Sequence, residues 1–269
     1  MMQKIRKIIA VLNDFSTLDE VLSKTFSLSH THHAQVEILY VQETPLFEIP
    51  NLFTKENSEL LDTKAVKKEL EKKVTEYNPT SPPVIFVQID DTVNRVWALA
   101  REEKETLIIT AYHSELTEDI IHKVSQRVLV VKTKNTSYDK IVLAIDIEDD
   151  TSTCVRDVKE LFKEKKLQLF YDYRYSLDPR IELELSNIKI IEEVQRESFE
   201  SILTKHALQG DFFINGFLLD EDLKKYFNKT KFDLIVSCCD EDVLLNADKL
   251  WVRLLKNVSI DIMIEDKSK

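Results

Sequence analysis

Short runs of β-branched and other apolar residues alternate along the chain with segments whose apolar residues recur at helical spacing. In the first half, residues 8–12 predict a buried strand, while Val66, Leu70 and Val74 form one face of a predicted helix. Strands that alternate with helices predict a parallel sheet with helices on both faces. The predicted strands of this half are residues 8–12, 36–41, 84–87, 107–109 and 128–131.

The same order of elements begins again in the second half. The sequence KIVLAID at residues 140–146 parallels KIIAVLN at residues 7–13, and residues 134–139 form the predicted linker. Two units of this length match the usual size of a domain. We therefore predict an α/β protein with two tandem, doubly wound, parallel five-stranded sheets, in domains at residues 1–134 and 139–269. The predicted strands of the second half are residues 140–146, 167–171, 212–214, 233–236 and 260–264.

Two helix starts carry capping signals. Ser16, with Asp19 three residues later, predicts a box-like cap for the first helix. Asp91 predicts the cap of the helix that follows the third strand.

Composition and charge narrow the function classes. The chain is 43% hydrophobic and 32% charged, which fits a packed, soluble protein. Its net charge of −11 repels phosphate backbones, so we expect neither nucleic-acid nor anionic-membrane binding. No apolar run approaches the roughly 20 residues that span a bilayer, and the N-terminus lacks the features of a signal peptide. Three cysteines in 269 residues fit reduced thiols, so we expect a cytoplasmic protein.

Glycine is scarce, with only Gly210 and Gly216 in the whole chain. Glycine lets the backbone approach a phosphate closely or adopt a positive φ. The sequence therefore excludes the G-x-G-x-x-G fingerprint, the P-loop and the G-x-S-x-G nucleophile elbow.

Several segments together resemble one known family. The first strand of the second half ends in Asp146, and the matching position in the first half is Asn13. DLIV at residues 233–236, the turn and helix at residues 89–96 and the final helix and strand at residues 120–131 complete the pattern. Over nearly the whole chain, these features resemble the universal stress proteins. The resemblance implies a stress-associated protein without a defined reaction.

That resemblance also locates a vestigial nucleotide pocket. The family's ATP-binding members wrap the phosphates with a glycine loop after the fourth strand, opposite the Asp of the first strand. By resemblance, the pocket positions here are Asn13, Val41, Ala111 and Asp146.

The glycines of that loop are missing from both halves. The first two fall on Ala111 and Ser114 in the first half, where the segment before the helix is too short for the remaining Gly-Ser or Gly-Thr. In the second half they fall on Cys238 and Glu241, and the acidic run at residues 240–242 places negative charge where phosphate would lie. Asp172 replaces the apolar residue that Val41 supplies beside the adenine position. We therefore predict a binding or regulatory protein without a cofactor.

Two other functions stay open at this stage. In the first, the chain is a nucleotide-binding protein for ATP or AMP, with slow ATPase activity in a rearranged pocket near Asn13, Val41 and Ala111. In the second, it is an adenylating or pyrophosphatase-type enzyme, although the Ser-Gly-Gly and His-x-Gly-His signatures of such enzymes are missing.

Other polar clusters have a structural and a functional interpretation. His30, His32 and His33 suggest a transition-metal site, but a polar helix end explains them better. The acidic residues at 146–150 suggest a site for Mg²⁺ or Ca²⁺, but they fit a solvated helix start. His113 with Ser114 has no third group to orient it for nucleophilic chemistry.

Two further segments have similar alternatives. Cys238-Cys239 is either a redox pair or core packing, and packing is favoured. The apolar loop at residues 45–53 either folds over its own core or forms a lid or a partner surface.

The last strand suggests how the two halves associate. Ile260, Ile262 and Ile264 alternate with Asp261 and Met263, which predicts a half-covered strand. We expect the halves to form an intramolecular pseudo-dimer through their fifth strands, with a further protein partner or a homodimer left open.

Overall fold

The computed structural model describes residues 5–43, 62–135, 137–145, 151–174, 185–215, 219–239 and 249–266. It divides into two compact units, with a boundary between Thr136 and Ser137 that falls inside the predicted linker. We refer to the N-terminal unit, up to Thr136, and the C-terminal unit, from Ser137 onward.

The sheet of the N-terminal unit is parallel throughout. Its strands lie in the order β3-β2-β1-β4-β5, and each neighbouring pair is parallel. The elements are β1 (Lys7–Leu12), α1 (Leu18–His32), β2 (Gln35–Gln42), α2 (Thr63–Thr75), β3 (Val84–Ile89), α3 (Thr92–Ala100), β4 (Thr106–Ala111), α4 (Ser114–Lys123) and β5 (Arg127–Val131).

The C-terminal unit repeats this order, with strands β8-β7-β6-β9-β10 and parallel neighbours. The predicted fold class is therefore confirmed. The elements are β6 (Lys140–Ile145), α5 (Thr151–Leu161), β7 (Lys166–Arg174), α6 (Leu185–His206), β8 (Gln209–Asn215), α7 (Leu219–Thr230), β9 (Leu234–Cys239), α8 (Leu250–Asn257) and β10 (Asp261–Asp266).

The core lies along the central strands. Every residue of β1, β4 and β5 is buried, as are all residues of β6 after Lys140. Strands covered on both faces need continuous apolar runs rather than alternation, which is why these segments lack a period of two.

The first helix does not start as predicted. Ser16 is not its cap, because α1 begins at Leu18 and its N-cap residue, Thr17, makes no capping hydrogen bond with its side chain. Instead, one carboxylate oxygen of Asp14 accepts hydrogen bonds from the backbone N–H groups of Ser16 and Thr17. Asp91 caps α3 as predicted, since its carboxylate accepts from the Asn94 N–H at 2.6 Å.

The prediction of a half-covered last strand is wrong. Asp261 is fully buried, and so are Ile262 and Met263 on either face of β10. The Tyr138 hydroxyl donates to the Asp261 carboxylate at 2.7 Å, which compensates for the burial of that charge. Burial and the neighbouring negative charge raise the pKa of Tyr138 well above its ordinary value. The pseudo-dimer through the fifth strands stays a prediction.

Two other sequence expectations concern cysteines and membranes. Cys154, in α5, is disulfide-bonded, so the expectation of reduced thiols is wrong for this residue. The side chains of Cys238 and Cys239 lie outside the described residues, as do residues 45–53, 146–150 and 240–242. Among the helices that the structure describes, none combines the length and the apolar character that a membrane span requires.

Candidate functional site

Three of the four predicted pocket residues come together in the N-terminal unit. Asn13 directly follows β1, Val41 lies near the end of β2, and Ala111 is the last residue of β4. Because β1 lies between β2 and β4, the three residues meet at the carboxyl edge of the sheet, where ligands of doubly wound folds bind. We call this edge the N-terminal crevice. The fourth residue, Asp146, lies outside the described residues.

The Asn13 side chain links the elements around this crevice. Its Nδ2 donates to the Val41 carbonyl oxygen at 3.3 Å and to Thr92 Oγ1, at the start of α3, at 2.9 Å. Its Oδ1 is buried and accepts no hydrogen bond from the residues that the structure describes. Asn13 therefore occupies the Val41 carbonyl with its own amide.

The connection between β4 and α4 is short and closed. Only Tyr112 and His113 separate Ala111 from Ser114, the first residue of α4. Thr117 Oγ1 accepts from the His113 N–H at 2.8 Å and donates to the Ala111 carbonyl oxygen at 3.4 Å. This threonine holds the turn against the end of β4, so the connection has no room for a phosphate-wrapping loop.

Carboxylates cover the start of α3 at the crevice. Glu43 accepts from the Thr92 N–H at 3.0 Å, and Asp91 accepts from the Asn94 N–H at 2.6 Å, both in the first turn of α3. Helix N-termini attract anions through such N–H groups. Here the protein supplies the anions itself.

Asp14 and His113 face each other across the crevice, with Asp14 Oδ2 and His113 Nε2 3.9 Å apart. The hydrogen bond from the Ser16 side chain, followed by backbone hydrogen bonds and the His113 charge, holds the pKa of Asp14 below its ordinary value. Asp14 therefore stays ionised near neutral pH. Burial, followed by the Asp14 charge, raises the pKa of Tyr40 on the adjacent strand.

In the C-terminal unit, a buried ion pair occupies the equivalent place. Leu12 pairs with Tyr40 in one unit and Ile145 pairs with Tyr171 in the other, so Val41 and Asp172 hold equivalent positions. The Asp172 carboxylate contacts Arg253 Nη1 at 2.5 Å, and the two side chains are 2% and 6% exposed.

Arg253 also reaches a second carboxylate. Its Nε donates to Asp220 Oδ1, at the start of α7, at 2.9 Å. One guanidinium from α8 therefore links the carboxyl end of β7 to the start of α7, just as Asn13 links β2 to α3. We call Asp172, Arg253 and Asp220 the arginine cluster.

Comparisons with known proteins place this geometry in a known fold. A universal stress protein from Archaeoglobus fulgidus DSM 4304 is 11% identical, covers 97% of this chain and 98% of its own, and superposes with a TM-score of 0.65. A functionally unknown protein from Pseudomonas aeruginosa PAO1 is 14% identical, covers 98% and 94%, and gives a TM-score of 0.66. The chain has the universal stress protein fold.

A third structure agrees with this assignment. A protein from Pseudomonas aeruginosa UCBPP-PA14, provisionally described as a universal stress protein, is 15% identical, covers 98% of this chain and 94% of its own, and gives a TM-score of 0.63. No family model matches the sequence, and no curated protein matches it. The universal stress protein fold is therefore evident in three dimensions but not in sequence identity.

Sequence reasoning found Asp172 but missed Arg253. A signal for it exists: Arg253 interrupts the apolar run Leu250-Trp251-Val252 and Leu254-Leu255, and a charge on a buried helix face needs a partner. Asp172 interrupts an apolar strand in the same way. Pairing the two interruptions would have predicted the contact.

The histidines that the sequence suggested as metal ligands do not form a site in the described residues. His30 Nδ1 lies 2.9 Å from Thr80 Oγ1, and His33 is the left-handed C-cap of α1, as expected of a polar helix end. Within the described ranges, no group of three His, Cys, Asp or Glu side chains is arranged to hold a metal ion.

Ser114, which the family resemblance places at a glycine position of the phosphate loop, has a φ of 33°. A side chain destabilises that region of φ, while glycine tolerates it. We expect Ser114→Gly to relieve about 1 kcal/mol of backbone strain in the N-terminal unit. The greater conformational entropy of glycine in the unfolded chain offsets part of this gain in stability. Denaturant unfolding followed by Trp97 fluorescence in a Trp251→Phe background measures this change. Ser114→Ala keeps the Cβ and should give no gain, so an equal gain from both variants would contradict the explanation.

Proposed function

We propose that this chain is a stress-associated binding or regulatory protein of the universal stress type, in which neither unit binds ATP. One observation carries the proposal. In each unit, a polar side chain of the protein occupies the end of the second strand, where the family resemblance places the adenine contact. Asn13 fills this position on Val41, and Arg253 fills it on Asp172.

In the N-terminal unit, electrostatics support the same conclusion. Asp14, Glu43 and Asp91 place carboxylates on the elements around the crevice, and His113 lies 3.9 Å from Asp14. At about 4 Å, each like-charge pair is worth about 1 kcal/mol in water and about 4 kcal/mol near a protein surface. A triphosphate would meet this repulsion without a glycine loop to offset it.

In the C-terminal unit, a nucleotide would have to displace Arg253. Moving that guanidinium would leave Asp172 as a buried charge without its cation, which is strongly unfavourable. The chemistry of the site therefore favours a closed, structural role over ligand exchange.

Two measurements on the whole chain test the proposal. Protein purified without added nucleotide is denatured, and the supernatant is analysed by chromatography with mass detection; we expect no ATP or AMP near stoichiometric amounts. We also expect millimolar Mg-ATP to leave the melting temperature unchanged. Binding would be easy to detect, because a ligand at about 100 times its Kd adds about 2.7 kcal/mol of stability. A nucleotide-binding protein treated in parallel is the positive control. Near-stoichiometric nucleotide or a clear thermal shift would refute the proposal.

One observation favours a second candidate, nucleotide binding with slow ATPase activity in the N-terminal crevice. The buried Oδ1 of Asn13 lacks a donor among the described residues, and an amino group of a ligand could supply one. This candidate predicts that any ATP-dependent thermal shift disappears in Asn13→Leu but persists in Asp172→Asn. The proposed function predicts no shift in either variant or in the wild type.

A further inference from the structure

The outer edge of the N-terminal sheet is unusual for an acidic chain. β3 lies at the end of the strand order of its unit, paired on one side with β2. Its sequence is VIFVQI, and the whole segment from residue 78 to residue 89 contains no charged residue, although 32% of the chain is charged. Edge strands are usually protected from pairing by charged side chains, bulges or a covering segment.

The exposure of β3 matches that sequence. Val84 and Ile89, at its two ends, are 52% and 42% exposed, and the four residues between them are only half-buried. The edge strand of the other unit, β8, is different, because it carries the exposed charge of Asp211 and a glycine at position 210. β3 is therefore an ordered, uncharged strand of high β-propensity with apolar side chains in solvent.

We propose that β3 pairs with β3 of a second copy of this chain. Two copies carry a net charge of −11 each and repel over most of their surfaces, so an uncharged edge is where they can approach. A folded strand has already lost its conformational entropy, whereas an extended peptide would lose it on binding. Twofold pairing also uses one edge twice, as the commonest dimers do.

Twofold symmetry makes the strands antiparallel and, because opposed side chains lie on the same face of a sheet, places the axis beside one residue of β3. We place it at Phe86, which puts Val84 opposite Gln88 of the second copy. Asp90, the first charged residue beyond the strand, then lies opposite Pro82 of the second copy rather than opposite another carboxylate. The pairing avoids the like-charge contacts that destabilise cross-strand neighbours.

The small size of this edge sets the expected strength. Two strands of six residues bury far less than the roughly 1,200 Å² of a standard stable interface. The dimer should therefore be weak and reversible, visible in the high-micromolar range and absent after strong dilution.

Two double variants of the full chain test both the edge and the register. Val84→Lys/Gln88→Lys places lysine opposite lysine twice, so it should abolish the dimer even though it makes the chain less acidic. Val84→Lys/Gln88→Glu places lysine opposite glutamate twice, so it should retain or strengthen the dimer. Sedimentation velocity over a dilution series measures the association of each variant and the wild type.

The control and the opposing outcomes are equally specific. Ile190→Lys/Val194→Lys changes two exposed apolar residues of α6 by the same charge, and it should leave the dimer intact. A monomeric wild type, a dimer that survives Val84→Lys/Gln88→Lys, or a control as disruptive as the β3 variant would overturn the proposal. So would a monomeric Val84→Lys/Gln88→Glu variant with a native circular dichroism spectrum. Hydrogen exchange on the wild type needs no variant: β3 amides should gain protection at high concentration, and unchanged exchange would also overturn the pairing.

Discussion

Replacing Arg253 by methionine should destabilise the C-terminal unit by about 3–5 kcal/mol, the range for removing one partner of a buried ion pair. Asp172 is only 2% exposed at its side chain, so its carboxylate would lose its cation without regaining water. Methionine fills much of the volume of arginine, which keeps the loss electrostatic rather than a cavity effect.

Each unit contains one tryptophan, so the measurement can be confined to the C-terminal unit. Trp251 is 6% exposed, two residues before Arg253, and Trp97 lies in the N-terminal unit. In a Trp97→Phe background, denaturant unfolding followed by fluorescence reports on α8 and its surroundings.

The arginine cluster supplies its own controls. Asp220 is 46% exposed, so Asp220→Asn should change stability by only about 0–1 kcal/mol. The double variant Arg253→Met/Asp172→Leu removes both buried charges and should recover most of the stability lost in Arg253→Met. If the double variant is as unstable as the single one, the uncompensated Asp172 charge is not the cause of the loss.

The sequence predicted the order of elements because each element carries its own local signal. The apolar runs of β1 and β4 and the apolar stripe of α2 depend only on neighbouring positions. Asp91 was also predictable as a cap, since its partner Asn94 lies three residues away.

The errors arise where a partner is distant or where two residues compete for one role. Asp14 rather than Ser16 organises the start of α1, because its carboxylate accepts both available N–H groups. The burial of Asp261 depends on Tyr138, which lies 123 positions away. No local pattern contains that contact, so alternation in β10 was interpreted as exposure.

The candidate site divides in the same way. Its position at the carboxyl ends of the strands followed from the fold and from the family resemblance. Its chemistry did not, because Thr92 lies 79 positions from Asn13 and Arg253 lies 81 positions from Asp172. These long-range contacts join the elements around the candidate site through internal hydrogen bonds and ion pairs.

Gly210→Ala should disrupt the packing of β8 more than any other change in that strand. Its effect has a steric cause, which also explains why one of the chain's two glycines lies here. A Cβ at this position would lie 2.5 Å from the Leu169 carbonyl oxygen and 2.9 Å from both Leu169 Cβ and Phe199 Cζ. The closest atom belongs to the backbone of β7, which pairs with β8 and cannot move aside without disturbing the sheet.

We expect a destabilisation of about 1–3 kcal/mol, the usual cost of overpacking, only partly offset by the smaller entropy of the unfolded alanine chain. Fluorescence of Trp251 in the Trp97→Phe background measures this change as well. Gln209→Ala is the matched control, because Gln209 is the exposed neighbour in the same strand and its replacement adds no atom toward β7. A Gly210→Ala variant as stable as the control would show that β7 and β8 can separate locally, so that close packing does not account for the glycine.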